Sequence, residues 1–576
     1  MADAPDATSD AAEPSAPDPS GADRAEAERA EKGGPTTESA AGAVAAGILS
    51  SRLLGLLRER TVAYFFGVGA HADVWQVAFK SPNLLQNLLG EGTISAAFIP
   101  IYSRMIEEGR PEDAGRFAGA IFGLLLAVAG GLALLGVVLA EPIVTVLAPG
   151  FLAEAGGTIN RFDLAVRAVR IIFPMAGVLV LSAWALGVLN SHRQFFVPYV
   201  APALWNVAII AALFGGAYWL TGTPWAPAGL TTGPLTSVLL IGCVGAFVGG
   251  ALQFAVQLPF VVREMPGFTF SFSTRVTGVR EAINAFGPVV AGRGVAQLSG
   301  YLDLFLASFL SVGALGALRY AQLLYMLPIS LFGMSVAASE LPELSRLTEE
   351  RVSAFTTRLR RSLRQIGFLT VPTVVGYLAF GPLLVGALFR TGEFGNADTW
   401  LVTLVLGGYA LGILATTMSR LFQNAFYAIG DTKTPAWIAV TRVAVSTAVA
   451  VPAMFWLDTL PLGAVVGPVS DNTLFLGALG LSLGATVGAW VEVWRLRRAL
   501  RTPMPDARVP WRALGRMTAL ALAALPPAAG VWALLPSWPV LAVAPLVVGL
   551  YAALYLGAAA LLAFDELQAW TRRFWT

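Results

Sequence analysis

From about residue 40 to the C-terminal end, this chain is a succession of apolar runs separated by short polar connections. Crossing a hydrocarbon core takes roughly twenty apolar residues in a helix, and these runs have that length. Inside a bilayer only helices and closed barrels satisfy their own backbone groups, and the runs are too long and too continuously apolar for barrel strands. The expected fold is therefore an all-α polytopic membrane protein. Spans are predicted over 40–66, 72–101, 117–140, 164–190, 196–220, 235–262, 284–311, 316–341, 366–389, 400–427, 436–457, 474–494, 514–535 and 540–563.

Composition agrees: 56% of residues are apolar and only 13% charged, where soluble domains carry about 25% charge. Cys243 is the single cysteine and His71 and His192 the only histidines, so neither an intrachain disulfide nor a Cys- or His-built metal site is expected. Residues 1–38 are rich in Ala, Asp, Glu, Ser and Pro without an aromatic, and read as a disordered cytoplasmic tail. They lack the basic start and apolar core of a secretory signal.

Orientation follows from the loop arginines. Every second connection is basic, with Arg104, Arg110 and Arg116, then Arg263, Arg275 and Arg280, and later Arg358, Arg360, Arg361 and Arg364. The alternate connections are nearly free of positive charge, Arg161 and Arg390 being exceptions. An even span count then places both termini in the cytoplasm. Between the eighth and ninth spans, Phe355, Leu359 and Leu363 with interleaved Arg predict a helix lying on the membrane surface.

The chain also repeats. Val68-Gly69-Ala70 recurs as Val312-Gly313-Ala314, and Pro100 to Arg104 as Pro342 to Arg346, six spans apart. A parallel repeat of this kind is common in secondary transporters. The expected organisation is a tail over 1–38, one lobe over 39–263, a second over 264–495, and a helical pair with the C-terminus over 496–576.

Charges inside spans are costly, about 2.5–3.5 kcal/mol each on insertion scales, and normally face a cavity or a partner. The first span carries Arg52, Arg58, Glu59 and Arg60, the second Asp73, Lys80 and Glu91, and the seventh Arg293 and Asp303. Structural ion pairs and interfacial anchoring remain alternatives for each of them. A cavity lined by arginines suits phosphate or carboxylate, because guanidinium binds both bidentately. Several spans also contain proline, including Pro82, Pro174 and Pro288, where helices kink.

Ser51-Arg52-Leu53-Leu54-Gly55 through Arg58, Val77-Ala78-Phe79-Lys80-Ser81-Pro82-Asn83-Leu84-Leu85, Glu91-Gly92 and Ala97-Phe98-Ile99-Pro100 together resemble the MurJ (MviN) family. Ala148-Pro149-Gly150-Phe151 and Asp431-Thr432-Lys433-Thr434-Pro435 extend the resemblance along the chain. It implies a lipid II flippase of the multidrug/oligosaccharidyl-lipid/polysaccharide exporter superfamily in a bacterial cytoplasmic membrane. Such a protein is a transporter without catalytic residues. It moves an undecaprenyl-pyrophosphate-linked precursor outward by alternating access, with a cationic cavity and a groove for the lipid tail.

Arg52, Arg58 and Asp73 fall on the family's cavity positions. Two expected arginines are missing, with Gln86 after the Pro-Asn-Leu-Leu stretch and Gln322-Leu323 after Tyr320-Ala321. Arg293 is expected to restore one charge. The anticipated binding set is thus Arg52, Arg58, Glu59, Asp73, Lys80 and Arg293. No cofactor is expected beyond a monovalent cation gradient or the membrane potential, with Asp303 pairing to Arg442 in place of a bound cation. The competing expectations are export of another polyprenyl-linked glycan or a small molecule, or a non-transporting scaffold for cell-wall enzymes.

Overall fold

The computed structural model describes residues 37–153, 159–225, 230–334, 352–467, 474–502, 504, 509–564 and 566–567; the side chains at 37–41, 43, 291–299, 333–334 and 352–354 lie outside that description. The expected N-terminal tail, and Pro342 to Arg346 of the second repeat copy, fall outside it too. Apart from one isolated bridge between Pro461 and Phe475, the regular structure among the described residues is helical.

The first half runs through α1 (Thr37–Phe66), α2 (Ala70–Leu89), α3 (Glu91–Ala97), α4 (Ile99–Glu107), α5 (Pro111–Val138) and α6 (Ala140–Leu147). It continues through α7 (Arg161–Ser191), α8 (Phe196–Thr221), α9 (Thr232–Ala255) and α10 (Leu258–Glu264). The second half comprises α11 (Val279–Ala307), α12 (Ala314–Pro328), α13 (Val352–Phe389), α14 (Asn396–Ala428), α15 (Lys433–Leu457), the short α16 (Gly463–Val466) and α17 (Gly477–Leu500). Last come α18 (Trp511–Ala523), α19 (Leu525–Leu534) and α20 (Val540–Leu561).

Among the described residues, ten helical segments are long and apolar enough to cross a membrane. The other expected spans α1, α2, α11 and α17 are helical too, and they carry ionised residues. The chain thus concentrates its polarity in a few helices, which then have to bury that polarity against each other.

Packing recurs between the halves. Helix α7 packs on α2, α5 and α9, and α8 packs on α9; likewise α14 packs on α12, α13 and α17, and α15 on α17. The hubs are α7 and α14, with 83% and 78% of their apolar windows buried against protein, whereas α15 has 17%. Helix α11 breaks the pattern by leaning on α2, α3, α5 and α6 of the first half.

The connection into α11 is an extended strap. Gly115, Gly119 and Gly123, one turn apart on α5, lie against the backbone carbonyls of Pro266, Thr269 and Ser271, where any Cβ would collide. Only glycine admits a backbone that close.

The surface helix expected around Phe355 is instead the first part of α13, continuous up to Phe389 with one non-helical residue at Phe380. Phe355, Leu359 and Leu363 are buried in a cluster with Leu496, Leu500 and Met504. Their apolar stripe meets protein, not lipid.

Candidate functional site

The ionised residues of α1 do not stay within that helix. Glu59 is 3% exposed and accepts hydrogen bonds of 2.7 Å from both Arg58 of its own helix and Arg319 of α12. Arg58 also donates to Asn206 Oδ1 at 3.0 Å, and its guanidinium lies 4.7 Å from the centroid of the Trp205 ring. One carboxylate shared by two guanidiniums leaves a net positive charge. The Arg319 side chain is 39% exposed, so that charge is accessible. Glu59 Oε2 has no hydrogen-bond partner among the described residues.

Arg319 was not among the expected residues. It stands one helical turn before Leu323, the position where the family resemblance leads one to look for arginine, so both lie on the same face of α12. That i to i+4 relation was the signal available in the sequence. Arg293, expected to supply the charge, lies in α11, and its side chain is outside the described residues.

Beside this triad, Gln76 and Lys80 of α2, Asp303 and Leu304 of α11, and Arg319 and Gln322 of α12 line a polar chamber of about 40 Å³. Such a space admits a water-sized guest and no pyrophosphate. Gln322 donates to the Tyr409 hydroxyl at 3.0 Å, and the Lys80 ammonium sits 5.8 Å from the Tyr301 ring centroid. Arg52 is exposed and makes no ion pair among the described residues. Arg60 donates to the carbonyls of Ala387 and Leu388 at 2.7 and 2.9 Å, satisfying the end of α13.

Asp73 lies apart from the triad. It is fully buried, pairs with Arg161 at 2.9 Å, and accepts from the backbone N–H groups of Gly313 and Gly316 at 2.7 and 2.9 Å. It thereby caps α12 from the opposite half of the chain, a favourable place for a negative charge. The two copies of the Val-Gly-Ala repeat abut here: Gly313, at φ +94°, leaves a Cβ position only 2.8 Å from the Val68 carbonyl. Asp398 similarly accepts from the N–H groups of Val68 and Gly395, and Glu393 N–H donates to the Tyr64 carbonyl at 2.9 Å. These bonds close the arginine-poor ends of the helices. The exceptional Arg161 is explained by its pairing with Asp73.

Arg442 does not pair with Asp303. Its guanidinium bonds Glu492 of α17 at 2.8 Å, and Gln423 donates to the other oxygen of the same carboxylate at 2.9 Å. A glutamate one helix away outcompetes Asp303 for this arginine. Lys80 and Glu91 form no ion pair with each other among the described residues, since α2 ends at Leu89 and Glu91 begins α3.

A solved structure described as lipid II flippase MurJ in an inward closed conformation superposes with a TM-score of 0.66 at 21% identity, over 91% of this chain and 99% of that one. An inward-facing multidrug transporter of the MATE family follows with a TM-score of 0.58 at 14% identity, over 79% and 95% of the two chains. A probable lipid II flippase MurJ of Rhizobium tropici is 31% identical over 458 residues, 79% of each chain. The lipid II flippase MurJ of Burkholderia cenocepacia is 29% identical over 462 residues, 79% of this chain and 81% of its own. The sequence profile of the family described as lipid II flippase MurJ matches residues 62–549, and the chain belongs to that family.

Proposed function

We propose that this protein is a flippase that carries a polyprenyl-pyrophosphate-linked cell-wall precursor from the cytoplasmic to the outer leaflet. The observation carrying the reading is the inter-half triad of Arg58, Glu59 and Arg319 at a membrane-embedded chamber. Two guanidiniums face one carboxylate there, and a pyrophosphate with more charge and more acceptor oxygens would compete for them. Binding must then separate Glu59 from Arg319, and that step opens the contact between the halves. Alternating access follows if the Asp73 cap on α12 parts when the triad closes on cargo.

The two six-helix lobes, the cytoplasmic termini and the inner-membrane location belong to this reading, supported by the recurring helix contacts and the one-sided loop arginines. So does the driving force, a monovalent cation gradient or the membrane potential, with Asp303 as the acid in the chamber on which it acts. Asp303→Asn is expected to remove the dependence of transport on the imposed gradient; unchanged dependence rejects that role.

The central test is a leaflet-exposure assay for the pyrophosphate-linked precursor in a flippase-depleted bacterium. Expression of this chain should restore outward exposure, and Arg58→Ala should not. Normal exposure without the chain, or full rescue by Arg58→Ala, rejects the proposal. Retained function in every charge-removing variant would favour the scaffold alternative.

A further inference from the structure

A proline inside a helix has no N–H for the carbonyl four residues before it, and its ring bends the helix away from that group. Within a bilayer no water replaces the missing donor, so the freed carbonyl needs a partner from the protein. In α2, Pro82 frees the carbonyl of Ala78, and the Ser81 hydroxyl of the same helix donates to it at 3.0 Å.

Two later prolines are served from a different helix. Pro328 ends α12 and frees the carbonyl of Leu324, which accepts from the Tyr377 hydroxyl of α13 at 2.8 Å. A π-helical turn over Ile329–Met334 follows directly, a second irregularity at the same place. Pro372 lies inside α13 and frees the carbonyl of Phe368, which accepts from the Tyr555 hydroxyl of α20 at 3.0 Å. In both cases the hydroxyl reaches the one carbonyl that the proline releases.

Helix α20 follows α13 past each of its irregular points. The Tyr555 ring packs 5.3 Å from the Phe368 ring, and the Tyr551 hydroxyl donates to the Pro372 carbonyl at 3.0 Å. Tyr551 also packs its ring edge-on to Phe380, the residue of α13 with non-helical dihedrals. Glu566, beyond the end of α20, pairs with Arg364 one turn before Phe368. Tyr377, Tyr551 and Tyr555 are all buried.

The three helices thus act in series. Helix α20 holds the bend of α13, α13 holds the bend of α12, and α12 carries Arg319 of the triad. Leu324 stands five residues after Arg319, ~7.5 Å along the helix.

We propose that Tyr377 and Tyr555 are positioning residues for transport. By capping the carbonyls that Pro328 and Pro372 release, they fix the bends of α12 and α13 and tie the C-terminal helical pair to the placement of Arg319 against Glu59. The consequence for transport rests on the flippase reading above, whereas the control of the bends rests on the hydrogen bonds alone.

The test is a double-mutant cycle on the full chain, in phosphatidylcholine nanodiscs for thermal unfolding and in the depleted bacterium for leaflet exposure. Tyr377→Phe and Tyr555→Phe keep the ring and remove the donor. Each should lower the unfolding midpoint and reduce precursor exposure about fivefold, the shift that one net hydrogen bond supports. Pro328→Ala and Pro372→Ala return the missing N–H, so the carbonyl regains its helical partner. Adding Tyr377→Phe to Pro328→Ala, or Tyr555→Phe to Pro372→Ala, should then lower the midpoint no further. A hydroxyl that served only general packing would cost the same in both backgrounds, and equal losses overturn the proposal.

Spin labels on Arg361→Cys and Leu378→Cys, in a Cys243→Ser background, report the bend of α13 directly. They stand on either side of Pro372, ~26 Å apart along the helix. Tyr555→Phe should broaden their distance distribution, and adding Pro372→Ala should narrow it again; an unchanged distribution rejects control of the bend. If wild type restores exposure and both Phe variants do so equally, the transport role fails while the flippase reading stands. If wild type fails to restore exposure, the flippase reading fails, and the midpoints and distances still decide the bends.

Discussion

Glu59 illustrates how much depends on a single buried carboxylate in this chain. It pairs with two arginines from different halves, so its removal leaves like charges facing each other in a poorly solvated place. Breaking a buried pair by removing one partner costs roughly 3–5 kcal/mol, and the partial exposure of Arg319 puts Glu59→Gln toward the lower figure. Thermal unfolding of the purified protein should show that loss. Arg319→Leu should abolish precursor exposure, and Arg319→Leu combined with Leu323→Arg should recover part of it by moving the charge one turn along the same face. Failure of the double variant, with normal folding, would mean that the position of the charge matters beyond its presence.

His192, in the connection after α7, supports a pH prediction. Its Nε2 lies 3.0 Å from the Tyr102 hydroxyl and its Nδ1 3.3 Å from Glu264. Burial pushes the imidazole below its ordinary value, and Glu264 opposes this less strongly. The folded state therefore favours the neutral ring. Its contribution is present above about pH 6.5 and is lost as pH falls through the lower folded value. The unfolding midpoint should drop between pH 7 and 5, and His192→Gln should flatten that drop.

At the scale of elements, the helices were largely legible because apolar length and glycine–proline punctuation are local properties. Helix α8 spans Phe196–Thr221 where 196–220 was expected, and α20 spans Val540–Leu561 where 540–563 was expected. What a stripe packs against is not local. The face of Phe355, Leu359 and Leu363 is apolar whether lipid or protein covers it, and here the covering is α17 and its continuation. The strap on α5 was likewise hidden, since Gly115, Gly119 and Gly123 advertise a close approach without naming the partner. Gly119→Leu should push the 266–273 segment off α5. Limited trypsin digestion should then cut faster at Arg275, and an unchanged rate would contradict the packing role.

At the scale of the molecule, Asp73 joins the halves through the backbone of α12 and through Arg161. Asp73→Asn keeps the shape but removes the buried negative charge that faces Arg161 and the N–H groups of Gly313 and Gly316, a loss of roughly 3–5 kcal/mol. The arginine-poor side should open. In a Cys243→Ser background, Val68→Cys should become several-fold more reactive toward a membrane-impermeant maleimide when Asp73→Asn is added. Equal reactivity would show that Asp398 and the Glu393 to Tyr64 bond hold the closure alone.

The sequence by itself determined that the chain is a bundle of membrane helices with a few helices carrying the charge. Both properties follow from residue type and run length, and the solvent enforces them one helix at a time. Which charges meet was decided only in three dimensions. Arg58 and Arg319 are 261 positions apart and share Glu59, while Asp73, expected beside Arg58, serves a separate buried closure. Asp303 and Arg442 looked complementary, but Glu492 stands nearer to the arginine. Electrostatic pairing falls off within a few ångströms, and sequence order carries no such distance between helices.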